Sequence, residues 1–106
     1  MKTKKENKHA GLSMELLTRM TETLKLLAHP QRLKIIDILD RNGASPVYRI
    51  AEELGLPSAA TSQHLNQMKR VGIIMAERHG RKVRYDVLDP RALTILGCIR
   101  KSGGQR

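Results

Sequence analysis

The chain has no phenylalanine, no tryptophan and only two tyrosines, Tyr48 and Tyr85, among its 106 residues. Single-strand binders and sequence-specific RNA modules stack bases on exposed rings, so this scarcity argues against both and favours duplex DNA as a nucleic-acid partner. The single cysteine, Cys98, excludes an internal disulfide and any cysteine-rich zinc framework, and fits a cytoplasmic setting. No run approaches the length of a membrane span, and no apolar segment follows the lysine-rich start, so neither membrane insertion nor export is expected. No nucleophile and base stand at a recognisable spacing, no glycine-rich loop offers to cradle phosphate, and the four histidines are scattered. An enzyme is not expected, nor is a cofactor.

Acidic residues are also few. Ten stand against twenty Lys and Arg, giving a formal net charge of +10. The excess is unevenly placed. Between residues 12 and 54, Arg19, Lys25, Arg32, Lys34, Arg41 and Arg49 are offset by Glu15, Glu22, Asp37, Asp40, Glu52 and Glu53. The surplus lies at the start (Lys2, Lys4, Lys5, Lys8), over residues 69–84 and near the C-terminus. A uniformly basic, merely solubilising charge would not be distributed in this way.

The region from Ile50 to Tyr85 carries the most information. Val47, Ile50, Ala51 and Leu54 recur at helical spacing, and Gly55 ends the run. Leu56-Pro57-Ser58 restarts a helix, with Ser58 expected to offer its hydroxyl to the first amides. In that second helix, ending near Arg70, Thr61, Leu65 and Met68 share one face, while Ala59, Gln63, Asn66 and Arg70 share the opposite one. Small and amide-bearing residues near the start of an outward face suit approach to base edges, and Lys69 and Arg70 near its end suit phosphates. After Gly72 the period becomes two. Val83, Tyr85 and Val87 alternate with Arg84 and Asp86, and residues 73–78 are expected to pair with them across His79-Gly80. The tip then carries Arg78, His79, Arg81 and Lys82. A charged tip alone is often only a solvated turn guarding a sheet edge; directly after a recognition helix it becomes a phosphate or minor-groove contact. This is the outline of a winged helix-turn-helix.

Around this unit we expect a basic, unstructured arm over residues 1–11, a domain over 12–101 and a flexible tail over 102–106. Leu16, Leu17, Met20, Leu24 and Leu27 give an amphipathic first helix over about 13–28. His29-Pro30 opens another, with Leu33, Ile36 and Leu39 buried and Asn42-Gly43 as its stop. Asp89 caps a last helix that begins at Pro90 and buries Leu93, Leu96 and Ile99. The fold class is mainly α, about five helices with a two-stranded wing. The first and last helices are more apolar than closing one small core requires, which points to a homodimer through them.

In this order and spacing, Leu27-Ala28-His29-Pro30-Gln31-Arg32-Leu33, Thr61-Ser62-Gln63-His64-Leu65, Val71-Gly72-Ile73-Ile74 and Gly80-Arg81-Lys82-Val83-Arg84-Tyr85 resemble the ArsR family of bacterial winged-helix repressors. The resemblance implies a homodimer that binds an inverted repeat at a promoter and releases it on sensing a metal ion or another chemical signal. It places DNA-reading roles on Ser58, Ser62 and Gln63; the wheel adds Ala59 and Asn66 and turns His64 toward the core edge. The family's sensing residues do not carry over. Asp89 matches a zinc-ligand position, but Arg91 stands where a His is needed and Ser102 and Gln105 occupy the distal positions, so no metal site is expected and Asp89 reads as a helix cap. Residues 46–53 hold no Cys-x-Cys, and residues 31–40 offer no thiol to pair with Cys98, which therefore reads as a small buried residue. The sharper alternatives are a redox role for Cys98, as a disulfide to its twofold mate, and a metal site assembled across subunits from His9, His29 or His79. The effector is not legible. Two further functions compete with a sequence-specific repressor: a nonspecific architectural DNA binder, against which Gln63 and Asn66 argue, and a protein-interaction module with an incidental basic face.

Overall fold

The computed structural model describes residues 11–104. The arm expected over 1–11, His9 with it, lies outside these residues apart from Gly11, as do Gln105 and Arg106 of the tail. Helix α1 spans Met14–Leu27, α2 Pro30–Asn42, α3 Val47–Leu54, α4 Ser58–Arg70 and α5 Pro90–Ile99. Strands β1 (Ser45–Pro46), β2 (Ile74–His79) and β3 (Lys82–Val87) form one antiparallel sheet in the order β1-β3-β2. No described helix is long and apolar enough to cross a membrane.

The helix starts follow local chemistry. Ser13 Oγ accepts from the Leu16 amide at 3.1 Å, and Asp89 accepts from the Arg91 amide at 3.0 Å. Ahead of α2, with Pro30 in its first turn, the cap is the His29 ring, whose Nδ1 accepts from the Gln31 amide at 3.2 Å. Ser58 departs from expectation. Pro57 occupies the capping position without a side-chain bond, so Ser58 is already helical and its exposed hydroxyl caps nothing. Gly55 ends α3 in the left-handed region (φ 71°), which lets its own amide and that of Leu56 both return to the Ala51 carbonyl.

The core is aliphatic, as a chain without Phe or Trp requires. Helix α2 is its axis, touching α1, α3, α5 and β3. It therefore buries Ile35, Ile36, Ile38 and Leu39, a wider face than one stripe, while Leu33 is only half-buried. Leu65 and Met68 of α4, Ile50 of α3, and Ile73 and Ile74 complete the centre. Each fully buried aliphatic side chain contributes roughly 1.5–3 kcal/mol.

Three further expectations need correction. The wing is backed by a third strand, because Ser45 pairs with Tyr85 and Pro46 with Arg84; two residues carry no periodicity to announce them, and Pro46, lacking an N–H, suits this edge. The hairpin turns across Gly80-Arg81, since pairing continues to His79–Lys82 and Gly80 takes φ 67°. Helix α5 buries Ala92 and Leu96, leaving Leu93 half-buried, Ile99 45% exposed and Cys98 exposed. Cys98 is not a core residue, because α5 meets α2 along a face rotated from the expected one. Residues Arg100–Gly104, the last three expected as tail, continue as a π-helical turn.

At the base of the wing one backbone group joins three elements. The Ile73 amide donates to Met68 O of α4, and the Ile73 carbonyl accepts from the amides of Leu88 (2.9 Å) and Asp89 (3.1 Å) at the entrance to α5.

Asp37 of α2 is an ionic hub. It accepts from Lys34 (3.1 Å), Arg41 (3.2 Å) and Arg100 (2.6 Å), while Arg100 also reaches Asp40 and Arg41 reaches Glu53 of α3. Partial burial pushes the carboxyl up, but the hydrogen bonds from Arg100, Lys34 and Arg41 outweigh it and hold its pKa at about 2. Because the folded pKa lies below the unfolded value, this stabilisation is complete above the unfolded pKa near 4 and is lost as pH falls through about 2. Asp37→Asn is expected to cost about 1 kcal/mol at neutral pH, solvent around its partners limiting the effect. In thermal melts across pH 7 to 2 the gap to the unmodified chain should close at the acid end; a gap independent of pH would deny Asp37 this role.

Candidate DNA interface

Helix α4 turns two different faces to its surroundings. Thr61, Leu65 and Met68 are buried, with the Thr61 hydroxyl satisfied by the Pro57 carbonyl at 3.0 Å. Ser58, Ala59, Gln63 and Asn66 are exposed and Ser62 is half-buried. Ser58 and Ala59 leave the first turn sterically open, and the Gln63 and Asn66 amides offer both donor and acceptor, the combination that reads adenine edges.

His64 belongs to the inner side. Its Nδ1 accepts from Arg32 Nε at 3.1 Å, its Nε2 pairs with Gln31 Oε1 at 3.1 Å, and its ring meets His29 edge-on with centroids 4.9 Å apart. Burial, then the nearby Arg32 charge and His29, lower its pKa below the ordinary histidine value and favour the neutral ring. Arg32 also donates to the Gln67 side chain and to the Leu26 carbonyl. One guanidinium thus ties α4 to the corner between α1 and α2. In the sequence Arg32 counted only as one of several balanced charges; its position in the Leu27–Leu33 string was the signal available.

The basic residues line two different recesses and the tip of the wing. Lys69 and Arg70 are exposed at the C-terminal end of α4, where Arg70 lines a cleft with Arg19 and Arg91. Arg78, His79, Arg81 and Lys82 are exposed at the wing tip, His79 lying 3.5 Å from the Glu77 carboxylate. Lys82 and Arg84 of β3 further line a trough of about 270 Å³ with Asn42, Tyr48 and Arg49. This trough contains no carboxylate, and Arg49, Lys82 and Arg84 form no ion pair among the described residues. By charge alone Arg49 belongs to the balanced half of the sequence. The β1–β3 pairing brings it, with Tyr48, beside the wing.

Asp89 does not fit a metal site. Its Oδ1 accepts from the Arg91 amide and Nε, and its Oδ2 from Arg91 Nη2 at 2.9 Å, so the carboxylate is spent on a cation already present. The Arg91 hydrogen bonds hold its pKa below the usual range. No three His, Cys, Asp or Glu side chains among the described residues are grouped to hold a metal ion.

The family described as a helix-turn-helix domain matches residues 27–76. The HTH-type transcriptional regulator NmtR of Mycobacterium tuberculosis is 33% identical over 87 residues, covering 82% of this chain and 72% of the relative. The transcriptional repressor PagR of Bacillus anthracis is 37% identical over 78 residues, 74% of this chain and 78% of its own length. Its crystal structure superposes with a TM-score of 0.75 over 82% of this chain and 99% of that one. The homodimeric winged helix-turn-helix DNA-binding domain of a possible ArsR-family transcriptional regulator from Mycobacterium bovis gives 0.76 at 26% identity, covering 91% of each chain. The chain belongs to the ArsR family. The matched helix-turn-helix segment of this ArsR-family chain runs from α2 into β2, the part that presents the outward face of α4. Helix α5 and all of α1 but Leu27, with the exposed Leu17, Leu24 and Ile99, lie outside it.

Proposed function

We propose that this ArsR-family chain is a dimeric repressor that reads an inverted-repeat operator through α4 and grips the backbone through the wing. The observation that carries the reading is the exposed face of Ser58, Ala59, Gln63 and Asn66, edged by Ser62, on a helix whose other side is fixed in the core. Lys69, Arg70, Arg78, His79, Arg81 and Lys82 supply phosphate contacts at its end and on the wing, and set affinity more than sequence preference. Dimerisation through α1 and α5 would cover Leu17, Leu24 and Ile99, all exposed in the single chain. The homodimeric Mycobacterium bovis domain and the repressor PagR support this assembly and direction of control. The protein acts in the cytoplasm, on DNA, without catalysing a reaction. Cys98 has no second described cysteine to pair with, so redox sensing through it would require its twofold mate.

Selection from random duplex DNA at near-physiological salt tests the reading. An enriched inverted repeat with half-sites about one helical turn apart is expected; no enriched motif would leave only charge-driven coating of DNA or a protein partner. On the selected site, Gln63→Ala should reduce discrimination by about 1–3 kcal/mol if the amide bonds a base in bidentate fashion. Equal losses on selected and random DNA would remove Gln63 from base reading.

A further inference from the structure

A cleft of about 450 Å³ opens where the C-terminal end of α4 meets α1 and the entrance to α5. Three guanidinium groups reach it from three elements: Arg19 from α1, Arg70 from α4 and Arg91 from α5. Arg19 and Arg70 make no ion pair among the described residues. Arg91 is oriented by Asp89, and its remaining Nη1 faces the Met20 sulfur at 3.1 Å, a weak acceptor that leaves this donor under-used. With Asp89 neutralised by Arg91, the one remaining carboxylate in the lining is Glu22.

We propose that this cleft binds a small di- or tricarboxylate that also carries a hydroxyl or ammonium donor, and that its occupancy adjusts the pose of α4 against α1 and α5. Guanidinium groups match carboxylates in bidentate geometry. Glu22 accepts from the ligand's own donor and disfavours bare polyanions. The volume lies within the range of small-molecule sites, and Met20 and Val71 provide an apolar wall. A residue set unable to hold a cation thus becomes a receptor for an anion. The regulatory half of this proposal rests on the DNA-binding reading above; the binding half does not.

Calorimetric titration of the full chain tests it, with citrate as the probe, tricarballylate as the equally charged analogue without the hydroxyl, and sodium chloride at matched ionic strength. Saturable citrate binding is expected, weakened at least about tenfold by Arg19→Gln, by Arg70→Gln and by use of tricarballylate, and unchanged by Lys101→Gln, which removes an equal charge outside the cleft. Absence of saturation, or equal losses in the Lys101→Gln variant, would overturn the site. Binding of the selected operator should then shift about fivefold or more on saturation with citrate in the unmodified chain and not in Arg19→Gln. Citrate binding without that shift would overturn the regulatory half. Citrate binding by a chain that selects no DNA motif would leave the site standing while the repressor reading fell.

Discussion

Replacing Arg49, Lys82 and Arg84 together by glutamine is expected to weaken operator binding by the dimer about ten-thousandfold at 0.15 M salt. Each neutralised phosphate contributes about 0.9 to the slope of log K against log salt, which amounts to roughly fivefold per contact on going from 1 M to 0.15 M. Six contacts, three from each protomer of the dimer, compound to about ten-thousandfold, and the slope should flatten by about 5.4. The trough lined by these residues contains no acidic group, so no internal ion pair has to be given up when a phosphate enters. Lys82 and Arg84 lie on β3 and Arg49 on the first turn of α3, all three exposed, so the melting temperature should stay nearly constant. Sequence preference should survive, because base reading is assigned to α4. An unchanged salt slope would take the trough out of the interface.

Arg32→Ala is expected to produce the largest loss of stability among changes of non-core residues, about 2 kcal/mol, or about 10 °C in melting temperature for a domain of this size. The substitution leaves His64 Nδ1, the Gln67 amide oxygen and the Leu26 carbonyl without their shared donor. Arg32→Lys should not rescue it, since one ammonium cannot reproduce a planar fork aimed at three acceptors. His64 reports the same event. It is held below its ordinary pKa, so the unfolded chain takes up this proton more readily and His64 removes stability as pH falls below about 6.5. In Arg32→Ala the cation is gone and the ring better hydrated, and an NMR titration should find the His64 pKa raised. A melting temperature within 2 °C of the parent, on the order of 0.5 kcal/mol or less, would show that α4 is held by its apolar face alone.

The parts legible in the sequence are those set by local periodicity and punctuation. The two faces of α4 follow from helical spacing of Thr61, Leu65 and Met68, and the limits of α3 and α5 from Gly55, Asp89 and Pro90. What escaped depends on partners distant in the chain. Strand β1 exists because Tyr85 and Arg84 lie opposite Ser45 and Pro46. The Arg32–His64 bond spans 32 residues. The exposure of Cys98 follows from which side of α5 meets α2, a choice between similarly apolar faces that spacing alone does not make. Ser58 departs from expectation for a local reason: a hydroxyl after Pro suits a cap, yet Pro57, already extended at φ −63° and ψ 153°, takes that position itself.

The carbonyl of Ile73, shared by the amides of Leu88 and Asp89 while the neighbouring amide holds Met68 O, works as a linchpin made of main chain. Side chains around it can be exchanged without severing it. Exchanging the side chains of Asp89 and Arg91 therefore leaves this main-chain link between α4, the base of the wing and the entrance to α5 in place.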